Sequence, residues 1–244
     1  MLLGGYAKIG KTFLLLDLAH NVATGGKLWG TDITVPVPAP VFYFEQEVGE
    51  MEFQRRVKMR YDALKIIPPD NLFYESRAKD FFVDTIRGVD HIRKRIKETE
   101  AKVIIVDPIG RCLLGDENSN KDIGGLFQHL DGLLHDFPEV SIIMAHHFGK
   151  PPKEDDADPL SPYNFRGASK WFDAPDTLIT FAPMTPHPGE WKRLKCRFEV
   201  RQGEPMDGRG LIIEPFGIVC PAPPSAALVK PPVKGIGPRA WGRK

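Results

Sequence analysis

Gly5-Tyr6-Ala7-Lys8-Ile9-Gly10-Lys11-Thr12 satisfies the pattern G-x-x-x-x-G-K-[ST] at every fixed position. The residue types state the chemistry. A nucleoside triphosphate is gripped by backbone N–H groups converging on its oxygens, and glycines let a chain curl closely enough to supply them. A helix starting at Lys11 adds the positive end of its dipole. Lys11 can reach the β- and γ-phosphates, and the Thr12 hydroxyl is a ligand for Mg²⁺. Gly5 to Phe13 is therefore the expected ATP cradle. Its expected second half is Asp107, which ends the apolar run Val103-Ile104-Ile105-Val106. A carboxylate placed where a strand leaves the core can hold Mg²⁺ directly or through water.

Elements that could carry these groups follow in order. Met1-Leu2-Leu3 reads as a strand before the loop, and residues 11–24 as a helix closed by Gly25-Gly26. Val41-Phe42-Tyr43-Phe44 suits a buried parallel strand running into Glu45-Gln46-Glu47. Helices are expected over 50–64, 83–98 and 122–136, with a weak strand at 71–74. Residues 111–125 read as an exposed polar loop. Val140 to Ala145 reads as another buried strand, ending at His146-His147, and a long proline-containing loop covers 149–166. Leu178 to Phe181 returns to the core. From Arg193 the pattern alternates with period two, and glycines then punctuate a turn before Leu211-Ile212-Ile213, an antiparallel hairpin.

Composition narrows the classes. The 244 residues are 42% hydrophobic and 27% charged, enough for one large α/β domain with a substantial core. A net charge of +1 gives no strong overall field, so contact with nucleic acid must come from local patches. Cys112, Cys196 and Cys220 form no metal or disulfide framework, which fits a reducing cytoplasm. No run reaches the ~18 apolar residues of a membrane span, and no basic stretch precedes the first apolar residues, so neither a membrane nor a signal peptide is expected. The phosphate loop begins almost at Met1, which fits a chain lacking an N-terminal part. The domain is expected over 1–216. Residues 217–244, rich in proline and basic from Pro221 on, read as a disordered tail.

The order of these segments resembles the RecA-like ATPase core, and more narrowly the RepA-type, DnaB-related hexameric helicases of plasmids, phages and mobile elements. The likeness rests on Gly5–Thr12, Val41–Arg56, Val103–Asn118, His146–Lys150, Arg166-Gly167-Ala168-Ser169 and Asp173-Ala174-Pro175-Asp176. It implies a P-loop core with a mostly parallel twisted sheet flanked by helices and a C-terminal antiparallel hairpin. By that resemblance Glu47 activates the attacking water, with Glu45 the alternative, and His147 senses the γ-phosphate. Arg201 would reach into a neighbouring subunit's site, although Glu199 stands where related helicases often carry a lysine. The loops 111–125 and 149–166 would face a central channel and contact single-stranded DNA through Lys121, Lys150, Lys153 and Arg166. Acidic residues on the same loops, Asp116 and Glu117 among them, oppose such contact.

The expectation is an ATP-driven, Mg²⁺-dependent hexameric ring that moves on single-stranded DNA and unwinds duplex, partnered by a primase or loader. Its rivals are a filament-forming recombination or repair ATPase and a regulatory ATPase with no DNA role. The ring also rests on the site's own chain offering no other evident cation for the developing charge.

Overall fold

The computed structural model describes residues 1–150, 158–184, 192–202, 204–214 and 217–222. Its parallel strands are β1 (Leu2–Gly5), β2 (Val41–Glu45), β3 (Leu72–Ser76), β4 (Val103–Asp107), β5 (Ser141–His147) and β6 (Thr177–Pro183). Three antiparallel strands follow, β7 (Lys192–Val200), β8 (Arg209–Ile213) and β9 (Val219–Pro221). One sheet contains them in the order β3-β2-β4-β5-β1-β6-β7-β8-β9. The fold is α/β, with a large mostly parallel sheet, flanking helices and an antiparallel end, as expected for a P-loop core.

The helices are α1 (Lys11–Thr24), α2 (Glu50–Leu64), α3 (Ile86–Thr99), α4 (Asn120–Asp136) and the single turn α5 (Lys170–Asp173). They cover both faces, which is why the parallel strands read as continuous apolar runs rather than alternating ones. Strand parity divides the core. Leu3, Val41, Tyr43, Ile105, Ile143 and Ala145 pack on one side with Leu14, Leu15 and Leu18 of α1 and Phe53 of α2. Phe42, Phe44, Ile104, Val106, Ile142 and Met144 pack on the other with Ile92 of α3, Leu126 and Leu130 of α4, and Trp171 of α5. The same parity decides which polar residues meet at the strand ends.

Residues 111–119 are largely exposed, as expected, but α4 begins at Asn120 and the segment before it is tied down. Asp84 accepts hydrogen bonds from the Leu114 and Gly115 amides (3.0 and 2.7 Å), and the Glu117 carbonyl accepts from Ala168 N and Trp171 Nε1 (2.9 and 3.2 Å). The segment is fastened through its backbone, while Asp116 and Asn118 stay exposed. The domain boundary also moves, because β9 pairs with β8 and Val219 is buried, so the sheet runs past residue 216. The remainder of the proposed tail, 223–244, lies outside the described residues.

α1 is fastened to α2 by a buried ion pair. Arg60 and Asp17 are 2% and 4% exposed and joined through Nη2 and Oδ1. Asp17 Oδ2 also accepts from Trp29 N and Asn21 Nδ2, both at 2.9 Å. Burial holds the Asp17 carboxyl above its ordinary range despite Arg60. Asp17→Ala strands a guanidinium in the core, and such a loss costs about 3–5 kcal/mol. Chemical denaturation is expected to show a fall of that size, and a loss below about 0.5 kcal/mol, the range of an ordinary surface change, counts against the assignment.

Candidate functional site

The parallel strands all end at one edge of the sheet, and the crevice outside those ends is where open α/β sheets bind ligands. The phosphate loop stands there between β1 and α1. Gly10 takes φ +104°, a left-handed conformation closed to most side chains, and no side chain caps the first turn of α1. No side chain there competes with an anion for the amides at the helix start. Ala7, Lys8, Gly10, Lys11, Thr12 and Phe13 line a cleft of about 510 Å³. Gly5, Tyr6 and Ile9, also expected in the cradle, are not among its walls. The side chain of Tyr6 packs edge-on against Phe148, and Ile9 is buried beneath the loop.

Lys11 has each of its ammonium protons placed. Its Nζ donates to the carbonyls of Gly5 and Tyr6, both at 3.0 Å, and to His147 Nδ1 at 2.9 Å. Burial pulls this amine down to about 8, against the upward pull of Asp107 and Glu47. An arriving triphosphate must take Lys11 from those three acceptors.

Parity explains the rest of the cleft. Tyr43, Ile105, Ala145 and their odd-numbered neighbours face α1, so Asp107 and His147 emerge on the side where Lys11 and Thr12 stand. Asp107 is 3% exposed, and Tyr43 Oη donates to its Oδ2 at 2.6 Å. Burial raises the Asp107 carboxyl, while hydrogen bonds from Tyr43 and Thr12 counter it. His147 is held below its usual value by burial and then by Lys11. His146, of opposite parity, is buried on the other face between Trp171 and Phe165 (ring centroids 4.3 and 6.0 Å). It donates from Nε2 to the Arg166 carbonyl at 2.8 Å. Burial pushes its ring down to about 4, so it is neutral, and the adjacent histidines do not share a ligand.

Glu45 and Glu47 have different environments. Glu45 is 1% exposed and its carboxylate accepts from the amides of Glu47, Val48 and Gly49 and from Ser76 Oγ (2.6, 2.6, 3.2 and 2.6 Å). Glu47 is half-buried with its carboxylate on the cleft wall. Hard oxygen donors at Thr12 and Asp107 beside a triphosphate cradle suit Mg²⁺, which when bound would neutralise phosphate charge.

Several site residues escaped the sequence reading. Tyr43 looked like part of an apolar strand, yet its hydroxyl fixes Asp107. Arg55, Arg56 and Lys192 also line the nucleotide cleft. Lys192 donates from Nζ to the Lys8 carbonyl, so the expectation that this chain offers no other cation there is corrected. Lys192 precedes the period-two run read from Arg193, and only the register of β7 beside β6 brings it to this edge. Arg201 lies at the opposite edge: Val200 pairs with Thr177 at the start of β6. Arg201 is exposed and donates to the Asp173 carbonyl.

A second cleft, of about 520 Å³, adjoins the first and shares Glu47 and His147 with it. Arg111, Glu117, Asn118, His146 and Arg166 are among its other walls. Of the four expected DNA-contact cations, Arg166 lies here. Lys121 and Lys150 are exposed at the same sheet edge outside the cleft, and Lys153 lies outside the described residues.

A phosphate loop at a helix start, a buried aspartate ending β4, one strand removed from β1 in the sheet, and a half-buried glutamate on the same cleft define a P-loop nucleotide-hydrolysing domain. The chain belongs to the AAA domain family, whose model matches residues 1–153, and this membership supports ATP hydrolysis as its activity. No curated protein matches the chain.

Proposed function

We infer that the protein is a DNA-stimulated ATPase motor of the RepA-type helicase kind, working as a ring on single-stranded DNA. One observation carries this reading. The segments following β4 and β5 form a cleft that shares Glu47 and His147 with the nucleotide cleft, so whatever binds there touches residues facing the γ-phosphate position. Lys11 and the loop amides bind the phosphates, Thr12 and Asp107 hold Mg²⁺, and Glu47 orients and deprotonates the attacking water. His147 gives the site a sensor: when Lys11 turns to the phosphates, Nδ1 of His147 loses its donor and the ring is free to reorient. Arg201, exposed at the far edge, cannot serve its own cleft but can reach a neighbour's, where it would neutralise charge on the transferred phosphoryl group. With Arg55, Arg56 and Lys192 already in the cleft, Arg201 adds to the cations there rather than supplying the sole one.

The test is ATP turnover with and without single-stranded DNA, beside the particle mass in an ATP analogue. Stimulated turnover and an oligomer are expected, with stimulation lost when Lys150 and Arg166 are changed to alanine. Strand displacement on a forked duplex separates the motor from a filament-forming recombinase. Turnover indifferent to DNA, from a protein that stays monomeric, overturns this reading in favour of a regulatory ATPase.

A further inference from the structure

The second cleft is built around one side chain held at its base and paired at its guanidinium with Glu117. Arg166 N donates to the His147 carbonyl at 3.0 Å, and its own carbonyl accepts from His146. The next residue, Gly167, has φ +98° and presses so closely on the Glu117 carbonyl that an added Cβ would stand 2.2 Å from it. The backbone at Arg166 is thus bolted to the end of β5. Its guanidinium reaches into the cleft, where Nε meets Glu117 Oε1 at 2.6 Å, with the two side chains 63% and 19% exposed. Arg111 lines the same cleft.

The guanidinium faces a carboxylate oxygen through Nε, a contact it could equally make to a phosphate oxygen. Glu117 is held in place independently of that ion pair, because its carbonyl anchors Ala168 and Trp171. The acidic residues of this segment looked in the sequence like an obstacle to DNA. Glu117 instead occupies the place of an anion.

We propose that Arg111 and Arg166 form a seat for a phosphate group, with Glu117 as a built-in stand-in that the phosphate displaces. Resting on the DNA reading above, the ligand is a backbone phosphodiester of single-stranded DNA. Inorganic phosphate leaving the adjoining nucleotide cleft offers the same chemistry. Displacement frees Glu117 in a cleft that Glu47 also lines and draws on a backbone fixed to His146 and His147, which links seat occupancy to the hydrolytic cleft.

The experiment compares the full chain with Glu117→Gln and with Asp116→Asn, a change that removes the same charge from the same segment without touching Arg166. Binding of a labelled oligothymidylate of about 20 nucleotides is read by anisotropy across a salt series. Inhibition of turnover by inorganic phosphate is read in parallel. Glu117→Gln is expected to tighten oligonucleotide binding about threefold to fivefold, the scale of one partly exposed ion pair. Its salt slope should steepen by up to about one, because a freed Glu117 no longer recaptures a cation. Asp116→Asn should do markedly less, and the gain should vanish when Arg166→Gln is added to Glu117→Gln. A gain for inorganic phosphate alone keeps the seat, makes the free product its ligand and sinks the DNA reading. No gain over Asp116→Asn with either ligand overturns the proposal, provided thermal melting shows all variants folded.

Discussion

Glu47→Gln is expected to bind Mg²⁺–ATP within a few-fold of the native protein and to hydrolyse it about 10²- to 10⁴-fold more slowly, the span of a lost general base. The reason lies in what is fixed around Glu47 and what is left free. Its amide is held by Glu45 Oε1 at 2.6 Å, and its carbonyl accepts from Arg77 Nη2 at 2.7 Å. Among the described residues its carboxylate has no hydrogen-bond partner, and it faces the junction of the two clefts. A clamped backbone with an uncommitted carboxylate is the arrangement a water-activating base requires. Glutamine keeps the shape and the polarity but cannot take a proton. Single-turnover hydrolysis beside equilibrium binding of a fluorescent ATP analogue separates the two effects. Normal turnover by Glu47→Gln would falsify the assignment.

The same geometry removes Glu45 from contention. Its carboxylate is saturated by three amides and a hydroxyl in a buried place, so it is a fastener of the turn that carries Glu47. Its oxygens are already committed to protein donors and do not face the cleft as those of Glu47 do. Damage at Glu45 should therefore appear in stability and in the placement of Glu47 together.

Local signals carried much of the fold into the sequence. The helix of Lys11–Thr24 was readable because Gly10 and Gly25 mark its ends, and both take left-handed backbone. Val103–Asp107 was readable because a strand covered on both faces must be apolar throughout. Asp107 stood out for the complementary reason, as a charge ending such a run. The features that stayed hidden are long-range. Nothing near Tyr43 announces that its hydroxyl meets a residue 64 positions later. Nothing near Lys192 places it against Lys8. Glu117 and Arg166 look like unrelated loop charges until the segments after β4 and β5 are folded onto each other. Parity was the partial exception: alternation along a strand separates His146 from His147 in the sequence alone, and the two side chains do go to opposite faces.

Lys11→Ala is expected to lower kcat/KM for ATP about 10²- to 10³-fold, the scale of removing one preorganised contact to developing charge. The ligand-free protein makes this residue more than a fixed charge. Buried and bonded to two loop carbonyls and His147, its amine titrates near 8, far below an ordinary lysine. A bound triphosphate supplies negative charge that favours the protonated amine, so the group takes up a proton on binding whenever the solution is above that value. The sign follows directly. Below pH 8 Lys11 is already charged and affinity is flat with respect to this group. Above it, affinity should fall by up to about tenfold per pH unit until the bound-state value is reached. Titration calorimetry at pH 8.5 in two buffers of different ionisation enthalpy reads the proton uptake directly, and Lys11→Ala should abolish it. Uptake that persists in that variant would assign the proton elsewhere, whereas its loss ties the lysine's departure from His147 to the arrival of the nucleotide.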